Sequence, residues 1–169
     1  MALAAFLDTS VLVAGLIDFG PQSAPAQTLL HEVAEKRLSA AGTAWHCCLE
    51  FFSVSTRLPP EFRLAPADAV RLLREEVFAR MAVHDLPATD RLPMLQTAAQ
   101  DGTVGGRIYD THIAEVARTI GSAAIVTDNR RHFLAALRHA IRVETPTEFL
   151  AGLKAKRRMP PQVRQNNGR

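Results

Sequence analysis

Four acids of this 169-residue chain stand in apolar surroundings. Asp8 lies between Phe6-Leu7 and Val11-Leu12-Val13, and Asp128 follows Ile125-Val126-Thr127. Glu50 falls inside Cys-Cys-Leu-Glu-Phe-Phe, with no other charge before Arg57, and Asp110 sits between Ile108-Tyr109 and Ile113. Asp8 and Asp128 each close an apolar run that reads as a buried strand, and the C-terminal edge of an open parallel sheet is where ligands bind. Each acid also has a simple role open to it. Asp110 and Asp128 suit a first helical turn as capping or dipole residues, Asp8 suits turn amides, and Glu50 can face outward from a buried helix. As a set they point further. If the strands carrying Asp8 and Asp128 are neighbours, their like charges raise each other's pKa unless a cation intervenes. A hard divalent ion answers that need, and magnesium takes one or two carboxylates directly.

The elements that must position these acids alternate from end to end. Residues 3–7 read as a strand, and 24–38 as a helix with Ala26, Leu29, Leu30, Val33, Ala34 and Leu38 on its apolar stripe, stopped by Gly42. A short strand over 43–45 precedes a helical run from Cys47 to Arg57, which Pro59-Pro60 ends. Pro66 opens a helix to about Met81, Pro87 marks a break, and a helix over 91–100 follows. Gly102, Gly105 and Gly106 lead into a helix over 108–120 that Gly121 terminates. A third strand over 123–126, a helix over 130–138 and a fourth strand over 141–143 complete the alternation. Thr145-Pro146-Thr147-Glu148 has the form of a helix start, opening a last helix to Leu153. This pattern predicts an α/β domain over 1–153, in three layers, with a central mainly parallel sheet flanked by helices. Residues 154–169 read as a basic, disordered tail.

Charge and composition narrow the function classes. The net charge is +3, yet Lys154, Lys156, Arg157, Arg158, Arg164 and Arg169 carry all of it, so residues 1–153 stand at −3. Basicity belongs to the tail and does not mark a nucleic-acid surface. Asp8 and Asp18 interrupt the apolar stretch 2–19, so neither a membrane span nor a secretory signal is expected there. The only two cysteines, Cys47 and Cys48, are adjacent and cannot frame a disulfide-stapled fold, which favours a reduced, cytoplasmic setting. His46-Cys47-Cys48 is too compact for a zinc site, and His112 lies on a different helical face from Asp110. Two small thiols at a buried helix start are the better reading.

Phe-Leu-Asp8-Thr9-Ser10-Val-Leu-Val resembles the opening strand of PIN-domain nucleases. Leu49-Glu50, Tyr109-Asp110-Thr-His-Ile-Ala-Glu-Val-Ala and Val126-Thr127-Asp128-Asn129-Arg130-Arg131-His132-Phe133 resemble the family's later acidic positions, in order. Size and layout are most similar to the VapC-type toxins of toxin–antitoxin pairs. His46-Cys47-Cys48 ahead of Glu50 and the basic tail depart from that pattern. The resemblance implies a magnesium- or manganese-dependent endoribonuclease that cleaves RNA through Asp8, Glu50, Asp110 and Asp128. Asp8, Asp110 and Asp128 would be metal ligands, with Glu50 a further ligand or a water orienter. Thr9, Ser10 and Thr127 would aim the carboxylates by hydrogen bonding. It also implies a homodimer held inactive by a cognate antitoxin, whose peptide could use a groove between the helices around Glu50–Thr56 and Ala69–Phe78. Other strand-end-Asp enzymes fit poorly. A haloacid-dehalogenase-type phosphatase needs an acid where Ser10 stands, and a receiver domain needs a late lysine where residues 1–153 hold only Lys36. The surviving rival is a catalytically inactive PIN-like module whose acidic pocket docks a basic partner segment.

Overall fold

The computed structural model describes residues 4–38, 40–133, 136 and 138–158. Its centre is a five-stranded sheet of β1 (Ala5–Leu7), β2 (Ala41–Ala44), β3 (Ala82–His84), β4 (Ala124–Val126) and β5 (Arg142–Glu144), in the order β3-β2-β1-β4-β5. Every pairing is parallel, with Leu7 opposite Thr43 on one side and Val126 on the other. The three inner strands are buried along their whole length, which is why β1 and β4 read as short unbroken apolar runs. The chain lays β2 and β3 on one side of β1, then crosses to lay β4 and β5 on the other. That reversal opens a crevice at the C-terminal ends of β1 and β4, where Asp8 and Asp128 emerge.

Helices flank the sheet: α1 (Thr9–Leu16), α2 (Ala24–Ala34), α3 (Trp45–Ser55), α4 (Pro66–Leu72), α5 (Ala88–Gln100), α6 (Arg107–Thr119) and α7 (Pro146–Arg158). α4 runs on into a π-helical turn, Leu73–Phe78. The crossing of α1 over α2 requires Gly15, because a Cβ there would lie 2.5 Å from Leu30 Cδ1 and 3.2 Å from the Ala26 carbonyl. The start of α7 is the reciprocal cap anticipated from sequence. The Thr145 amide donates to Glu148 Oε2 at 2.8 Å and the Glu148 amide donates to Thr145 Oγ1 at 3.3 Å. α6 ends as expected at Gly121, whose φ of 65° lets the Ser122 amide reach the Ala117 carbonyl at 2.9 Å.

Several elements differ from the sequence expectation. α1 and the edge strand β3 were not anticipated; α1 follows β1 after one residue, and β3 is short and only partly buried. Gly42 is not a helix stop but the middle of β2, paired with Phe6 and Ala82 between two strands. α2 instead ends at Ala34, and Lys36 takes the positive φ of 56° that turns the chain. The helix expected over 130–138 begins as a 3-10 turn, Arg130–His132, and residues 134, 135 and 137 lie outside the described residues. α7 does not stop at Leu153 but continues to Arg158, so the first residues of the expected disordered tail are helical. Arg157 holds them down, 2.9 Å from Glu32 Oε2 and donating to the Arg37 carbonyl at 3.0 Å. The rest of the tail lies outside the described residues. Among the described residues no helix is long and apolar enough to cross a membrane.

Candidate functional site

Parallel register sets the first half of the site. The Asp8 amide extends the β1–β4 ladder by donating to the Val126 carbonyl at 3.0 Å, which brings Asp8 beside Thr127. Asp8 is 5% exposed, and its Oδ2 accepts from Ser10 Oγ at 2.9 Å and Thr127 Oγ1 at 2.8 Å. Each hydroxyl is fixed from behind by a backbone amide. The Asp128 amide donates to Ser10 Oγ at 3.1 Å, and the Asn129 amide donates to Thr127 Oγ1 at 2.9 Å. Two relays of the form amide, hydroxyl, carboxylate therefore converge on one oxygen. Burial still dominates, and it pushes the Asp8 carboxyl above the ordinary range against the pull of both hydroxyls.

Helices α3 and α6 bring the second half. α3 begins directly after β2, so Glu50 stands in its second turn, where Thr9 Oγ1 donates to Glu50 Oε2 at 2.5 Å. His46, one turn earlier, lies 3.5 Å from Glu50 Oε1. His46 and Thr9 together hold the Glu50 carboxyl below its usual range. Asp110 occupies the first turn of α6, 3.8 Å from His132 Nδ1. Burial pushes its carboxyl up, and the charges of Asp8 and Glu50 add to that push against the opposing pull of His132 and His46. Asp8, Glu50 and Asp110 thus form one electrostatic unit. Asp128 stands apart at the exposed rim: partial burial alone raises its carboxyl, and its backbone amide is what engages the cluster.

Among the described residues no Lys or Arg forms an ion pair with any of these four acids. The donors are carboxylate and hydroxyl oxygens, which suit a hard ion of the magnesium or manganese kind. Among the described residues no three His, Cys, Asp or Glu side chains stand close enough to enclose a metal. An ion held here would take one or two carboxylates and keep its waters, which fits magnesium. The thiols take no part. Both cysteines are buried in the core, with Cys47 pushed up to about 12 and Cys48 to about 11 by that burial.

Three residues near the acids had not been singled out for function from sequence. His132 faces Asp110, His46 faces Glu50, and the Tyr109 ring stacks on His46 with centroids 4.8 Å apart and planes 17° from parallel. A His four residues before Glu50 and a Tyr directly before Asp110 were the available signals. His112, on a different face from Asp110 as expected, meets His46 edge-on at 5.6 Å and lies 3.7 Å from Asp85.

Next to Glu50, α3 turns an apolar side outward. Trp45, Leu49 and Phe52 are exposed, and with Val70, Leu73 and Phe78 they line a groove of about 260 Å3. This is the helix pair from which a peptide groove was expected.

Known proteins share both the sequence pattern and the fold. The sequence profile of the family described as PIN domain matches residues 4–131, a span that includes all four acids. Ribonuclease VapC27 of Mycobacterium tuberculosis (strain ATCC 25618 / H37Rv) is 42% identical over 74 residues, 44% of this chain; the match spans 52% of that protein, about half its length. Ribonuclease VapC40 of Mycobacterium tuberculosis (strain CDC 1551 / Oshkosh) is 29% identical over 124 residues, 73% of this chain and 85% of that one. Two solved structures share the fold. FitAcB from Neisseria gonorrhoeae superposes with a TM-score of 0.56 at 16% identity, covering 85% of this chain and 98% of that one. PAE2754 from Pyrobaculum aerophilum gives 0.59 at 21%, covering 92% and 98%.

Proposed function

The chain belongs to the PIN domain family, and on that premise we propose that it is a divalent-metal-dependent endoribonuclease, the toxin of a toxin–antitoxin pair. One observation carries the reading. Asp8 and Asp110 have carboxyls raised by burial, Asp110 further by the charges of Asp8 and Glu50, and no Lys or Arg among the described residues pairs with them. A fold that gathers acids at its ligand-binding edge without a balancing cation is prepared for one from solution. The names of the relatives, ribonucleases VapC27 and VapC40, support RNA as the substrate.

In this reading magnesium or manganese takes one or two carboxylates from among Asp8, Asp110 and Asp128 directly and meets the rest through its waters. When bound, the ion supplies an acidified water and relieves charge on the phosphate. The chain's own residues aim the ligands. Ser10 and Thr127 fix Asp8, and their amide partners lock both hydroxyl protons toward it. Thr9 and His46 keep Glu50 ionised, so that it can serve as a further ligand or accept a hydrogen bond from the attacking water.

Two copies of the chain and a cognate antitoxin complete the proposal. Leu49, in the apolar groove, is the immediate neighbour of Glu50 at the acidic edge. A partner segment with apolar residues for the groove and an Arg or Lys for the acids would engage both at once, and its attraction should weaken with salt. Mapping cut sites in total RNA treated with the protein and magnesium or manganese tests the proposal. Discrete cuts that vanish in Asp8→Asn support it. Intact RNA under every divalent ion contradicts it and leaves a docking module built from the same groove and acids.

A further inference from the structure

α6 buries Ile113, Ala114, Val116 and Ala117 against the sheet. Tyr109 sits one and two turns before Ile113 and Val116, on the same stripe, yet it is 51% exposed. At this end of the helix the stripe runs out of core and emerges at the acidic edge. There the Tyr109 ring does not hang free. The ring lies nearly parallel on His46 at 4.8 Å, and half of the residue remains exposed to solvent. His46 is braced in turn, edge-on to His112 at 5.6 Å and 3.5 Å from Glu50. The result is a flat aromatic surface, backed by a second ring and joined to the acidic cluster through Glu50 and the adjacent Asp110.

We infer that Tyr109, supported by His46, is the platform on which a base of single-stranded RNA stacks beside the scissile phosphate. The inference rests on the ribonuclease reading and names how that site positions its substrate. Acids repel a phosphate backbone, so a site of this charge gains little from the contacts that dominate most nucleic-acid binding. Stacking depends on the base and tolerates any sequence, because every base has a π face. A platform already braced from below also loses little freedom when the base arrives. Tyr109 is thereby a positioning residue for substrate, outside the set that holds metal.

The test uses a short single-stranded RNA containing one mapped cut site, together with versions made abasic at each nucleotide flanking the cut. Tyr109→Ala should raise KM about 10-fold, the scale of one lost base stack, with a smaller change in kcat. Tyr109→Trp, which keeps a stacking ring, should stay near the parent KM. One abasic position should cost the parent the same factor and cost Tyr109→Ala nothing further. An unchanged KM in Tyr109→Ala overturns the inference and leaves the ribonuclease reading standing. So does a penalty for Tyr109→Ala that adds fully to every abasic penalty, because a ring that merely ties α6 to α3 would behave that way. Affinity of the same RNAs for the Asp8→Asn protein reads the stack without cleavage. If the parent cuts no RNA, the ribonuclease reading fails, and a stack beside a scissile phosphate fails with it.

Discussion

Helix α6 supplies an acid to each of two very different clefts. Asp110, in its first turn, faces the sheet edge, where its nearest basic neighbour is a histidine 3.8 Å away. Glu115, five residues on, faces a cleft of about 370 Å3 toward α5, and there it meets Arg118 at 2.7 Å and His139 at 2.8 Å. The other acids of that cleft are matched as well, Asp90 with Arg118 at 3.6 Å and Asp101 with Arg138. The cleft toward α5 therefore has its charges balanced within the chain, whereas the sheet edge does not. Concavity alone does not tell the two places apart. Uncompensated charge at the topological switch separates the proposed cation site from a cleft that has already closed on itself.

The sharpest contrast should come from paired substitutions on α6. Asp110→Asn is expected to cut RNA cleavage by about 100-fold or more, the scale on which losing one preorganised electrostatic group operates, while leaving the melting curve nearly unchanged. Glu115→Gln should do the reverse, keeping cleavage and losing about 1–3 kcal/mol of stability with its charged hydrogen bonds. Equal behaviour of the two variants would erase the distinction. A smaller effect is expected from Thr127→Val, which removes one of the two hydroxyls on Asp8. A loss of about 10- to 100-fold in metal affinity fits a positioning role, and calorimetry of manganese binding reads it.

Divalent ion should also stabilise the folded protein, by about 2.7 kcal/mol at a hundredfold excess over Kd. Thermal melts of the parent should show that gain and melts of Asp8→Asn should lack most of it. The smallest effect concerns pH. Because burial raises the Asp8 carboxyl, the folded protein takes up its proton at a pH where the unfolded chain has already lost it. Its contribution to stability is therefore full below the ordinary value of 3.8 and is lost as pH rises through the raised value. Metal-free parent should lose stability relative to Asp8→Asn along that climb, by about 1.4 kcal/mol for each pH unit climbed between the two values. Saturating magnesium should remove the trend. A difference that grows in the parent's favour with rising pH would contradict the direction assigned to Asp8.

Much of this contrast was legible before any geometry. Asp8 and Asp128 stood out because an acid closing an apolar strand is costly unless used, and β1 does pair with β4. The mutual push expected between those two acids did not arise: burial alone raises Asp128, and the charge of Asp8 acts with that of Glu50 on Asp110 instead. Asp110 and Glu50 were harder, since a lone acid on a helix has ordinary uses, and the ordered resemblance to the PIN family raised them. The balanced cleft was invisible because its partners meet only in the fold: Asp101 and Arg138 are 37 residues apart. The same holds for Tyr109 on His46, a contact between α6 and α3 that no local periodicity encodes. α1 escaped because its apolar residues follow β1 almost without a break, and the C-terminal helix ran past its expected end because Arg157 found Glu32.

The central claim is that the acids of the sheet edge hold a divalent ion and those of the α5–α6 cleft do not. Manganese binding, measured by titration calorimetry on the parent, Asp8→Asn and Glu115→Gln, addresses it most directly. The expected result is the same Kd for the parent and Glu115→Gln, and affinity weaker by about 10-fold or more for Asp8→Asn. Equal binding in all three proteins, or a loss confined to Glu115→Gln, would contradict it.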